Sequence, residues 1–243
     1  MPIKPCSDSE VIHRTLISAE WEAKEAGVTL PSPDLPLSDF LSALKACGAP
    51  VHTSTFADFL SGQHALIACD DFHKHNNSSL PVPCTVDQAR AWLAVFPLET
   101  LNFPSDEDSV SATSTAKYKL QQYRSVDLLL PLARWPRENS DRLEVARMLL
   151  ENNGADPNDN TLIYHCWCYT PSELGMAPIH IAAGTGDKEM VELLLEFGAN
   201  TEKKDGYGRR ALDLAKEKGM EDVVKFLEEQ NVRRKQFNPD SNL

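Results

Sequence analysis

The chain predicts an all-α solenoid of about five helix-turn-helix units carrying insertions. Three observations lead there. First, a block near the C-terminus recurs at a constant offset: His180 to Asp213, Gly186 to Gly219 and Val191 to Val224 are each 33 positions. Self-similarity at that period marks a stack of small helical units, none able to bury its apolar face alone. Second, Val191, Leu194 and Leu195 stand at i, i+3 and i+4, one apolar stripe on a helix. Third, hydrophobic residues make up 42% of 243 positions, enough for a sizeable core.

Each element follows in order. Ser7 and Glu10 form a capping box ahead of an apolar-periodic run from Val11 to Ala26. A Pro-rich gap, Thr29 to Leu37, separates it from Phe40-Leu41-Ser-Ala43-Leu44-Lys-Ala46-Cys47, which leads into Gly48-Ala49-Pro50-Val51. Ala65-Leu66-Ile67-Ala68-Cys69 reads as a first helix. After a polar stretch, Asn76 to Pro83, Thr85 and Gln88 cap its partner, which includes Ala89 to Phe96, and Leu101-Asn102-Phe103 stands at the closing loop. Pro104 to Ala116, with Asp106-Glu107-Asp108 and a Ser/Thr run, reads as a surface insertion.

The third unit has Val126 to Ala133 as its first helix. Arg142 to Leu150 is its second, capped by Asp141 and Glu144 and ending in Gly154-Ala155-Asp156-Pro157-Asn158. From Gly154 to Gly198 is 44 positions, 11 more than one period, so an insertion lies within Asn160 to Met176. The fourth and fifth units are the recurring blocks themselves. Gly186 suits the reversal between their helices. The expected organisation is 1–120 for the irregular units, 121–231 for the regular ones with an insertion at 159–176, and 232–243 for a polar, fraying tail, arranged as one continuous solenoid.

These blocks resemble ankyrin repeats. Ala177-Pro178-Ile179-His180-Ile181-Ala182-Ala183 departs from the T-P-L-H-x-A-A opening of that family only in its first and third residues. Gly154-Ala155-Asp156-Pro157-Asn158 and Gly198-Ala199-Asn200 are similar to the family's ending, and Asp205-Gly206-Tyr207-Gly208 to its inter-repeat turn. The resemblance is specific over Val126 to Glu229 and degenerate over Val11 to Phe103, with Gly48-Ala49-Pro50-Val51 as a faint ending. It implies a structural role for His180, tying its loop to a neighbouring repeat. It also implies a concave groove lined by the ends of first helices.

Bulk charge narrows the function. The net charge is −12, which argues against nucleic acid as a partner and suits a basic one. From Asp58 to Asp108 eight acidic residues (58, 70, 71, 87, 99, 106, 107, 108) face only Lys74 and Arg90. Neither a signal peptide nor a membrane span is expected. The six cysteines are irregularly spaced, without CxxC, and read as reduced thiols in an intracellular, cytoplasmic protein. Arg233-Arg234-Lys235 is either a nuclear-import signal or a solvated helix end.

Candidate chemistry is sparse. There is no Gly-rich phosphate loop, no G-x-S-x-G and no H-E-x-x-H. His165-Cys166-Trp167-Cys168 lacks the paired spacing of a zinc site, so no metal or cofactor is expected. Asp70 with His73, and Asp71 with His75, would share helix faces, giving carboxylate–imidazole pairs suited to acid–base work or simply a charged helix end. Two functional readings stand. One is a protein-interaction module whose contacts are His73, Arg134, Trp135, Tyr164, Trp167, Tyr169, Thr185 and Tyr207. The other is a small-molecule site or atypical enzyme of isomerase or cyclase type, using Asp70, Asp71, His73 and His75, with the insertions as its roof.

Overall fold

The computed structural model describes residues 6–49, 51, 55–56, 59–60, 84–97, 129–133, 137, 139, 141–151, 155–158 and 175–237. Among these residues the regular structure is helical: α1 (Asp8–Glu25), α2 (Leu37–Ala46), α3 (Val86–Val95), α4 (Leu129–Ala133), α5 (Asp141–Glu151), α6 (Pro178–Thr185), α7 (Lys188–Glu196), α8 (Ala211–Glu217) and α9 (Glu221–Phe237).

The caps show why several helices start where they do. The Ser7 N–H donates to Glu10 Oε2 at 2.7 Å and the Glu10 N–H to Ser7 Oγ at 3.3 Å. Thr85 and Gln88 repeat the arrangement at the start of α3, at 2.9 and 3.2 Å. Each reciprocal pair satisfies two backbone donors that a helix start leaves open. The Asp141–Glu144 box is not formed. Asp141 lies inside α5 and its N–H donates to Asn139 Oδ1 at 2.9 Å, while Glu144 pairs with Arg90 at 3.0 Å. An asparagine side chain two residues upstream takes the donor that the box would have used. The chain is also helical further than the expected tail allows: α9 continues through Arg233 and Arg234 to Phe237, and Arg234 pairs with Glu202 at 2.8 Å.

The helices pack as two rows. Within units, α1 lies on α2, α4 on α5, α6 on α7 and α8 on α9. Along the stack, α4, α6 and α8 form a row of first helices, and α2, α3, α5, α7 and α9 a row of second helices. That order is compatible with five units. The expected helix at 65–69, the loop at 101–103, the insertions at 76–83 and 104–116, and the insertion at 159–176 apart from Gly175 and Met176 lie outside the described residues.

One apolar core follows both rows. It includes Val11, Ile12, Phe40 and Leu44 at one end, Leu149, Ile179 and Leu194 midway, and Val223 and Leu227 at the other. Ala182 and Ala183 are buried, small side chains where α6 meets its neighbours. In the first half the core centres on Trp92, whose ring lies 5.2 Å from Phe56, 4.7 Å from Phe59 and 5.2 Å from Phe96.

Gly186 makes the reversal between α6 and α7 at φ +75°, and Gly219 repeats it at φ +70° one period later. A Cβ at Gly186 would also stand 2.6 Å from Met220 Sδ. Gly186→Ala is therefore expected to destabilise the protein by about 1–2 kcal/mol from the left-handed backbone alone. Gly219→Ala carries the same backbone cost without the contact, since nothing lies within 4 Å of its Cβ position. Urea melts of the two variants check the order: Gly186→Ala should be the less stable.

Candidate functional site

The turn before α8 is built around a buried carboxylate. Asp205 Oδ1 accepts from the Tyr207 N–H at 2.9 Å and the Arg209 N–H at 2.8 Å, and Oδ2 accepts from Arg209 Nε at 2.9 Å. The Asp205 N–H donates to the Arg209 carbonyl at 2.9 Å, closing a tight finger, with Gly208 at φ +79°. Burial alone would raise the Asp205 pKa, but the hydrogen bonds from Arg209 and Tyr207 outweigh it and hold the carboxyl below its usual value. Tyr207 projects from this scaffold 53% exposed, with the Arg209 guanidinium 5.2 Å from its ring centre. Arg209 also reaches Glu217, at the end of α8, at 3.0 Å. A strip of exposed aromatic and charged groups thus runs from the finger along α8.

Thr185 ends α6, the neighbour of α8. It is exposed, and its hydroxyl donates back to the Ile181 and Ala182 carbonyls at 3.0 and 3.1 Å. Its hydrogen is therefore committed to its own helix, leaving a methyl group and oxygen lone pairs for a partner. Of the interaction residues expected from sequence, Thr185 and Tyr207 fall on described positions. His73, Arg134, Trp135, Tyr164, Trp167 and Tyr169, and the Asp70, Asp71, His73 and His75 cluster, lie outside them. Arg209, which the sequence did not single out, joins Tyr207 in the finger. The signal was present in the Asp-x-x-x-Arg spacing of the turn, since a side chain four residues on can close back onto the carboxylate.

His180 is fully buried at the start of α6. Its Nδ1 accepts from the Ala177 N–H at 3.1 Å, so the ring proton sits on Nε2, which donates to the Lys203 carbonyl at 3.0 Å. The imidazole thus caps its own helix and ties it to the next turn. Asp213 performs the first of these tasks one period later, accepting from the Arg210 N–H at 2.9 Å. The turns are also laced together: Asn158 donates to the Gly198 carbonyl at 3.0 Å and accepts from the Asn200 N–H at 2.7 Å, and the Lys203 ammonium donates to the Asn158 carbonyl.

Burial pushes the His180 pKa below the usual imidazole value, against the opposing pull of its bond to the Lys203 carbonyl. The unfolded chain then binds the extra proton first. Stability from this group is complete above about pH 6.5 and falls as pH drops from there through the folded value. His180→Gln should flatten the stability–pH curve in that window. An unchanged slope in the variant would show that His180 does not carry it.

Among the described residues no three His, Cys, Asp or Glu side chains are grouped to hold a metal ion. Cys6, Cys47 and Cys84 are free thiols; burial pushes Cys6 and Cys84 well toward the protonated form, making them poor nucleophiles. No described helix is long and apolar enough to cross a membrane.

Helix pairs in two rows, an imidazole cap at the opening of a first helix and a hydrogen-bonded finger between units coincide with the matched family model, described as ankyrin repeats in three copies, over residues 138–236. Residues 138–236 are ankyrin repeats. The chain is similar to cyclin-dependent kinase 4 inhibitor B of Bos taurus, 36% identical over 83 residues that make up 34% of this chain and 55% of the relative. It is also similar to cyclin-dependent kinase inhibitor 2A of Homo sapiens, again 36% identical over 83 residues, which make up 34% of this chain and 46% of that one. The chain spans about half the length of the curated relatives it matches.

Proposed function

We propose that this chain is a protein-interaction module whose partner seats on the finger and first-helix side of the stack. The observation that carries the reading is the Asp205-braced finger. It holds an exposed Tyr207 and its stacked Arg209 in one geometry before any partner arrives. A rigid aromatic contact loses little entropy on binding, and aromatic and arginine side chains dominate interface energetics. Thr185 and Glu217 extend the contact along α6 and α8. The sequence candidates His73, Arg134, Trp135, Tyr164, Trp167 and Tyr169 belong to the same proposed surface, and the acidic first half favours a basic patch on the partner. The irregular units at 1–120 are proposed to continue the same stack, and the protein to work in the cytoplasm.

The matched relatives are named for inhibiting cyclin-dependent kinases, so a kinase of that class is the first partner to test. Immobilised wild type, Tyr207→Ala and Trp135→Ala chains are presented to purified cyclin-dependent kinase 4 and, separately, to lysate with mass-spectrometric identification. Tyr207→Ala should weaken capture of the true partner by roughly tenfold or more, the loss of about 1–2 kcal/mol typical of an interface anchor. Wild-type capture by Tyr207→Ala would sink the assignment of the finger.

A further inference from the structure

The second-helix row carries a feature that the finger side does not use. A groove of about 470 Å³ opens between α5 and α7, lined by Leu143 and Leu193 with Glu144, Glu189, Glu192 and Glu196. Leu143 is half-buried and Leu193 is 5% exposed, so the floor is apolar and the walls are acidic.

Among the described residues, ion pairing on this face is short of cations. Arg90 is shared by Asp87 at 2.9 Å and Glu144 at 3.0 Å. Arg142 is shared by Asp187 and Glu189, both at 2.8 Å. Arg147, which also lines the groove, is shared by Glu196 at 2.9 Å and Glu151 at 3.9 Å, and lies over the Phe197 ring at 5.7 Å. Lys188 alone pairs one to one, with Glu192 at 3.4 Å. The groove lining itself holds four carboxylates, Glu144, Glu189, Glu192 and Glu196, and one cation, Arg147, an excess of three negative charges around a floor of leucine.

We propose that the groove between α5 and α7 is a docking site for a basic amphipathic helix of a partner protein. Its apolar side chains would lie on Leu143 and Leu193, and its lysines or arginines would join the carboxylates that now share one arginine between two. At Glu144, Glu189 and Glu196 an incoming cation finds an acceptor whose own counter-ion is divided, so attraction there is net rather than an exchange of one pair for another. This surface lies on the opposite helix row from the finger, and the proposal stands or falls independently of that site.

The test uses the full chain and a fluorescein-labelled amphipathic helix of lysine and leucine as probe, followed by anisotropy. Glu144→Lys with Glu192→Lys should weaken binding by roughly tenfold or more. Glu20→Lys with Glu25→Lys makes the same change in net charge on α1, far from the groove, and should leave binding close to wild type. Equal losses in both pairs would reduce the effect to bulk charge and overturn the site. A second arm needs no variant: carbodiimide coupling joins probe lysines to carboxylates in contact, and peptide mapping should place the links on Glu144, Glu189, Glu192 or Glu196. Links confined to other carboxylates would overturn the proposal even if the variants failed to fold.

Discussion

Arg142→Ala is expected to lower the stability of the protein by about 3–5 kcal/mol, the cost of leaving a buried partner charge uncompensated. Arg142 is 1% exposed and sends every arm of its guanidinium to an acceptor. Nε and Nη2 bind Asp187 in a bidentate pair at 2.8 Å each, Nη2 also reaches Glu189, and Nη1 donates to the Arg137 and Asn139 carbonyls at 3.0 and 3.1 Å. Burial works to lower its pKa, but the bonds to Asp187 and Glu189 outweigh this and hold it charged. Asp187 is itself 1% exposed and caps α7 by accepting from the Met190 N–H at 3.1 Å. Without Arg142 that carboxylate keeps, among the described residues, one backbone donor and no cation. In a chain of this size the loss corresponds to a fall in Tm of roughly 6–20 °C.

The charge and the cap can be separated. Asp187→Ser keeps a side-chain oxygen for the Met190 N–H and removes the buried charge. Combined with Arg142→Met, which restores most of the lost volume, it should return stability to within about 2 kcal/mol of wild type. Chemical denaturation of both single variants and the double then gives the coupling between the two residues. A loss of under about 1 kcal/mol in Arg142→Ala would mean that solvent replaces the guanidinium at little cost, and would remove this pair as the joint between α5 and α7.

The ankyrin segment was legible because its signals are local and repeated. The 33-residue offset, the Pro178–His180 opening and the Gly186 reversal each act within a few residues of their own position. The role of His180 could be read for the same reason, since its helix opening names the position. Arg142 could not be read so. In sequence it is one polar residue at the start of an apolar stripe, and its partner Asp187 lies on the far side of an insertion. The false Asp141–Glu144 cap has a related origin: the spacing was right, but Asn139 reached the donor first and Arg90 drew Glu144 away. Pairing across helices depends on register between units, which no single window of sequence contains. The finger lies between these cases: its turn and the exposed position of Tyr207 are visible in sequence, whereas the bracing of Arg209 by Asp205 needs the closed backbone.

Trp92→Ala should cost about 3–5 kcal/mol, the range for deleting a buried tryptophan side chain. The ring is fully buried among Phe56, Phe59 and Phe96, and among the described residues its Nε1 has no hydrogen-bond acceptor. Its described contacts are apolar packing. Trp92→Phe removes only part of the volume, so it should show the smaller loss. Where the loss is felt is the more telling measurement. α3 packs on α2 and α5, and α5 in turn on α7. In a stack held by nearest-neighbour interfaces, damage at α3 should loosen α1 to α3 first and reach α6 to α9 only weakly. Hydrogen exchange of Trp92→Ala should then speed up over 8–46 and 86–95 while 178–227 keeps its protection. Equal loss of protection in both regions would show one cooperative block, and a stack whose irregular first half is as essential to the ankyrin repeats as they are to each other.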